Sequence, residues 1–168
     1  MMRFVFLVLL FILSAGPACT PLAPGGVARL PATGIDGAWS RQAVVAEHGQ
    51  TLLVGQVLIL RQDGHSALVA EVGQLRRSGQ ARLRVSGAWH EGRELSFRRA
   101  TRSSRFCTGR AQCHQTGTFI LSPADFHVAL QSGLSATLIG PDGVVEVHFP
   151  PVLFTEARDR ARDLGLLS

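Results

Sequence analysis

The chain has 168 residues, of which 46% are hydrophobic and 17% charged, and its formal net charge is +5. That length and apolar content suit one domain with its own core and exclude a chain that stays disordered throughout. All 17 basic residues are Arg, and Lys, Tyr and Asn are absent, a usage we attribute to GC-rich coding rather than to chemistry.

Residues 1–18 follow the pattern of a secretory signal peptide. Arg3 supplies a single charge, Phe4 to Leu13 is an unbroken apolar run, and Ser14 to Ala18 is a small, turn-prone exit. The run is too short to span a bilayer as a helix. The working protein is therefore expected to begin near Cys19 and to lie outside the cytoplasm. Ala18-Cys19 resembles the lipobox of bacterial lipoproteins, although Gly16 stands where that family usually carries Leu. The resemblance implies lipid on Cys19 and an N-terminal lipid anchor in the cell envelope. Thr20, where Asp is absent, resembles lipoproteins sent to the outer membrane of a Gram-negative host. The alternative is a cut after Ala18 without lipid, which gives a soluble periplasmic or secreted protein. Cysteine arithmetic bears on the choice: Cys107 and Cys113 are near enough to pair, and Cys19 is left over.

Residues 19–35 hold Pro21, Pro24, Gly25, Gly26, Pro31 and Gly34, and are expected to form a flexible tether. Strand signals begin at Gly37-Ala38-Trp39 and run to Glu47. Thr51 to Arg61 is apolar on both faces, which predicts a strand covered on both sides. Asp63-Gly64 is a type I′ hairpin signal, with Ser66 to Val72 as the returning strand. Ala81 to Trp89 and Glu94 to Arg98 alternate in polarity. A three-residue loop, His90-Glu91-Gly92, would set Val85 opposite Phe97, Gly87 opposite Leu95 and Arg84 opposite Arg98.

Residues 100–115 are irregular, and Thr116 to Leu121 is a further strand. Ser122-Pro123 opens a helix that Gly133 ends, with Ser122 as N-cap. Leu134 to Ile139 and Val144 to Phe149 form a hairpin around Gly140-Pro141-Asp142-Gly143. Leu153 to Leu164 is a last helix with one apolar face. The expected fold is mainly β: a small antiparallel barrel or sandwich of seven to nine strands, with two short helices in the C-terminal half. One domain covers 36–168.

Residues 37–97 resemble small bacterial lipocalin-like modules. The likeness rests on the G-x-W of Gly37 to Trp39, on Asp63-Gly64 after an apolar strand, and on Gly87-Ala88-Trp89 before a Leu-x-Phe strand. It covers about a third of the chain and implies a carrier of a small apolar ligand, with Trp39 plugging one end of a barrel. Outside the resemblance, Trp39 and Trp89 are expected simply to pack in the core.

Charge is concentrated in the middle. Residues 72–110 hold ten Arg against two acids, and the flanking stretches 20–71 and 111–168 are both net acidic. Such a block can attract an anionic partner. Arg82, Arg84, Arg98, Arg99, Arg102 and Arg105 are the anion-binding candidates, because planar guanidinium groups suit phosphate and carboxylate. For an exported protein the partner would be anionic lipid, lipopolysaccharide or an envelope protein, and nucleic acid is not expected. Cys107 and Cys113 enclose five residues and are expected to form a disulfide in an oxidising compartment. They are not a Cys-x-x-Cys pair, which argues against a redox role.

Chemistry is harder to find. His48, His65, His90, His114, His127 and His148 sit at no ligand spacing, so no metal or other cofactor is expected. There is no G-x-S-x-G or S-x-x-K sequence, and no pair of carboxylates stands out. The expectation is a lipid-anchored envelope module that binds a partner and is not an enzyme. The lipocalin-like carrier is the alternative.

Overall fold

The computed structural model describes residues 22–30, 34–76, 79–100 and 113–167. Among them ten strands form one antiparallel sheet: β1 (Gly26–Leu30), β2 (Ile35–Trp39), β3 (Ala43–His48), β4 (Thr51–Gln62), β5 (His65–Leu75), β6 (Gly87–His90), β7 (Arg93–Arg99), β8 (Cys113–Leu121), β9 (Leu134–Gly140) and β10 (Gly143–Phe149). The helices are α1 (Pro123–Ser132) and α2 (Pro151–Asp163). The strand order is β1-β2-β4-β5-β8-β7-β6-β9-β10, with β3 also paired to β4. The sheet curls into a half-barrel with both helices in the C-terminal half, which is the expected fold class with one strand more than the expected range.

The turns explain the register. Asp63 and Gly64 both have positive φ, 50° and 81°, and close the β4–β5 hairpin at Gln62↔His65. A two-residue turn of this kind matches the twist of the flanking strands. The next hairpin uses the same device: Glu91 (φ 49°) and Gly92 (φ 76°) join β6 to β7. The expected three-residue loop is therefore corrected. His90 faces Arg93, Trp89 faces Glu94 and Ala88 faces Leu95. The shift by one residue exchanges the faces of β6. Ala88 turns into the core, and Trp89 turns outward at 39% exposure. Its expected core placement is overturned by that register.

Residues 81–86 were expected as a strand and carry no strand structure. Their partner is a side chain. Gln74, fully buried on β5, accepts from the Leu83 N–H at 2.9 Å and donates to the Leu83 carbonyl at 2.5 Å and to Thr116 Oγ1 at 2.8 Å. One amide thus replaces the backbone of a neighbouring strand.

The expected tether also needs correction, since β1 lies inside it and pairs with β2. Gly26 permits this, because a Cβ there would sit 2.8 Å from the ring of Trp39. Just before β1, Ala23 and Gln42 exchange hydrogen bonds at 2.8 and 3.1 Å.

Helix α1 starts as expected. Ser122 Oγ accepts from the Asp125 N–H and the Asp125 carboxylate accepts from the Ser122 N–H, a capping box. Helix α2 starts earlier than expected because Pro151 suits the first helical position. Leu153, Phe154, Ala157 and Ala161 form its buried stripe. Phe126 of α1 meets Phe154 edge to face at 5.6 Å, and Phe119 meets Phe149 in the same way at 5.6 Å. These rings and the inward residues of β4, β5, β9 and β10 form one core between sheet and helices. Among the described residues, no helix is long and apolar enough to cross a membrane.

Candidate functional site

Four of the six candidate Arg residues lie among the described residues, and three of those four share one pocket. Arg82, Arg84 and Arg99 line an open depression of about 560 Å³, together with Thr116 and Pro141. Arg82 and Arg84 arrive on the irregular segment that Gln74 holds, and Arg99 arrives at the end of β7. Two contacts fix the pocket wall. Ser86 N–H donates to the Ile139 carbonyl at 2.8 Å. Gly140 passes so close to the Arg84 carbonyl that a side chain there would collide with it.

Arg84 does not oppose Arg98. Arg98 faces Thr118 across the β7–β8 ladder. Arg84 instead grips Asp142 in the β9–β10 turn, through Nη2 at 2.7 Å, through Nε at 3.0 Å, and through its backbone N–H at 2.8 Å. The expected facing of Arg84 and Arg98 is therefore corrected, because Arg84 lies before β6 begins at Gly87. The Arg84 side-chain hydrogen bonds, followed by its backbone N–H, hold the Asp142 carboxyl down at about 2. That low value keeps the pair ionised through neutral and mildly acid conditions, with its contribution lost as pH falls from about 3.8 through about 2.

Arg82 donates to the Gln115 carbonyl at 2.9 Å, which positions its guanidinium without neutralising it. Arg98 and Arg99 have no ion-pair partner among the described residues. His114 receives Arg76 Nη2 at 2.8 Å. Its pKa is lowered first by burial and then by the charges of Arg76 and Arg82. The depression and its surroundings are thus cationic, with Arg84 compensated and Arg82 and Arg99 uncompensated. Such a site can accept phosphate or carboxylate oxygens.

Arg102, Arg105, Cys107 and Cys19 lie outside the described residues. Cys113 is buried at the start of β8, packed near Val54, Leu75 and Leu22.

A second depression, of about 630 Å³, lies on the outward side of β6, β9 and β10 beside the end of α1. Here His90 and His148, widely separated in sequence, meet at Ser135. His90 Nδ1 is 2.7 Å from the Ser135 carbonyl and His148 Nδ1 is 3.0 Å from Ser135 Oγ. A Ser–His contact alone does not make a nucleophile. Among the described residues no carboxylate orients His148, and the nearby end of α1 presents carbonyls where an oxyanion would need N–H groups. Among the described residues, no group of His, Cys, Asp and Glu could hold a metal ion.

The chain matches no family model, no curated protein and no solved structure. The sequence points to Arg82, Arg84 and Arg99 through the Arg-rich stretch and, for Arg82 and Arg84, through an expected outward face shared with Arg98. Asp142 is legible there only as a turn residue. The meeting of Trp89, His90 and His148 is not legible, because those residues converge only through the β6–β9–β10 pairing.

Proposed function

We propose that the protein is a cell-envelope lipoprotein acting as a binding or accessory module for an anionic envelope component, anchored through lipid on Cys19. The observation that carries the reading is the convergence of Arg82, Arg84 and Arg99 on one open pocket. A phosphate or carboxylate on lipid or lipopolysaccharide would meet two uncompensated guanidinium groups there. Arg102 and Arg105 would add to this field, and a Cys107–Cys113 disulfide would restrain the loop that carries them. The carrier reading has less support: a lipocalin-like carrier needs an enclosed apolar cavity, whereas here α1, α2 and the rings of Phe119, Phe149 and Phe154 fill the inside of the half-barrel.

Binding tests the module. Protein lacking residues 1–19 should bind vesicles containing anionic lipid, or lipopolysaccharide, and should not bind neutral vesicles. Each basic group near such a surface contributes about 1 kcal/mol, so changing both Arg82 and Arg99 to Gln should weaken binding roughly thirtyfold. Arg84→Gln should do less, because Asp142 already compensates that charge. Binding that is indifferent to salt or to the double substitution would remove this function.

The anchor has a separate test. Intact mass spectrometry of the mature protein should show Cys19 carrying acyl mass, and Cys19→Ala should abolish that mass and, after a high-salt wash that removes electrostatic binding, membrane fractionation. In the same spectra, recorded without reduction, Cys107 and Cys113 should resist alkylation. Unmodified Cys19, or alkylation of both Cys107 and Cys113, would withdraw the anchor or the staple respectively.

A further inference from the structure

We propose that the depression beside Trp89 is a binding site for an organic cation, a ligand bearing an ammonium or guanidinium group. The sheet register supplies the first observation. Glu94 faces Trp89, Trp89 faces Thr137, and Thr137 faces Glu146, so these four side chains form a single row across β7, β6, β9 and β10. The row is on the outward face, and neighbouring strands lie about 4.8 Å apart. The Trp89 ring thus stands one strand from Glu94 and two strands from Glu146, open to solvent at 39% exposure. The face of an indole attracts a cation through its quadrupole, and desolvation strengthens the attraction.

Of the rest of the lining, Glu91, Glu146 and the end of α1 have the same electrical sense, while Val45, Val128, Ala136 and Val147 are apolar and His148 lies beside Gly133. Glu146 has no hydrogen-bond or ion-pair partner among the described residues, unlike Asp142, Asp125 and Glu156, which each hold an Arg. Ser132 and Gly133 line the depression where α1 ends, and the last turn of α1 carries no basic residue. The negative end of that helix is therefore left uncompensated by its own side chains. His90 Nδ1 must carry a hydrogen to meet the Ser135 carbonyl, which leaves Nε2, 4.0 Å from Glu91, as an acceptor in the neutral ring. In a chain whose 17 basic residues are all Arg, no Arg among the described residues lines this depression. An anion would meet Glu146, Glu91 and helix carbonyls, all repulsive. A cation with N–H or N–CH3 groups meets carboxylates, carbonyls and an aromatic face. This site is separate in chemistry from the Arg-lined pocket, and it does not depend on that pocket's function.

Fluorescence of Trp89 reads the site. In a Trp39→Phe background, where Trp89 is the only indole, tetramethylammonium and arginine amide should each give a saturable change that sodium chloride and glucose do not. Glu146→Gln should weaken both about fivefold, the scale of one exposed charge–charge contact. Calorimetry on the wild-type protein with the same four solutes, repeated on Trp89→Ala, covers a poorly folded Trp39→Phe variant. The heat of cation binding should be present in the first and absent in the second. Saturation by glucose and not by the cations would make this a neutral saccharide site and overturn the proposal. A response to the cations no different from that to sodium chloride, or one that survives Trp89→Ala unchanged, would also overturn it.

Discussion

Gln74→Leu should destabilise the protein by about 2–4 kcal/mol, because it leaves buried backbone groups without partners. Gln74 is fully buried, faces Leu53 and His114 across its two ladders, and makes three hydrogen bonds through one amide. Leucine matches its volume, so cavity formation is not the cost. The cost comes from Leu83, whose N–H and carbonyl lose their partner inside the fold, and from Thr116 Oγ1. Each buried group left unsatisfied costs about 1–3 kcal/mol, partly offset by the apolar surface that leucine buries. Urea unfolding should show a lower midpoint with an unchanged slope. The same substitution should loosen the segment that carries Arg82 and Arg84, so binding to anionic vesicles should fall even where the variant is still folded. A midpoint equal to wild type would mean that residues 81–86 hold their place without Gln74.

Local chemistry was the legible part of this chain. Asp63-Gly64 adopts the left-handed pair that its sequence demands, and Ser122-Pro123 opens a helix with the cap that a short hydroxyl side chain provides. These features are decided within four residues, and composition is enough to see them. The β6–β7 register was not legible, because Glu91-Gly92 can turn as a pair or as part of a longer loop, and one residue of difference exchanges the faces of β6. Residues 81–86 alternate like a strand, yet their partner is a side chain on β5, which no periodicity reveals. Arg density announced a cationic surface. It did not announce that Asp142 would neutralise Arg84, since that pairing depends on Gly140 letting two backbones approach closely. Trp89 was misplaced for the same reason as the register: its size argues for burial, and only the pairing with Glu94 and Thr137 turns it outward.

Glu71→Gln should stabilise the protein by about 2–3 kcal/mol at pH 8 and leave it unchanged at pH 4. Glu71 lies on β5 between Gln56 and Thr118. Burial pushes its carboxyl from the ordinary 4.5 up to about 7, against the Gln115 amide, which donates at 3.1 Å and lowers it. No cation faces it among the described residues. A raised carboxylate means that the folded state keeps its proton where the unfolded chain has already lost it. Stability is therefore highest below pH 4.5, falls as pH rises between 4.5 and about 7, and stays at the lower level above that. Each pKa unit is worth about 1.4 kcal/mol, so the full interval is about 3.5 kcal/mol before any relaxation of the site, which reduces it. Glutamine removes the ionisation and keeps an oxygen to accept from Gln115. Urea midpoints for the two proteins should converge at pH 4 and separate progressively through pH 6 to pH 8. A gap that stays constant with pH would show that Glu71 is solvated in the folded state, and that the substitution acts through packing alone.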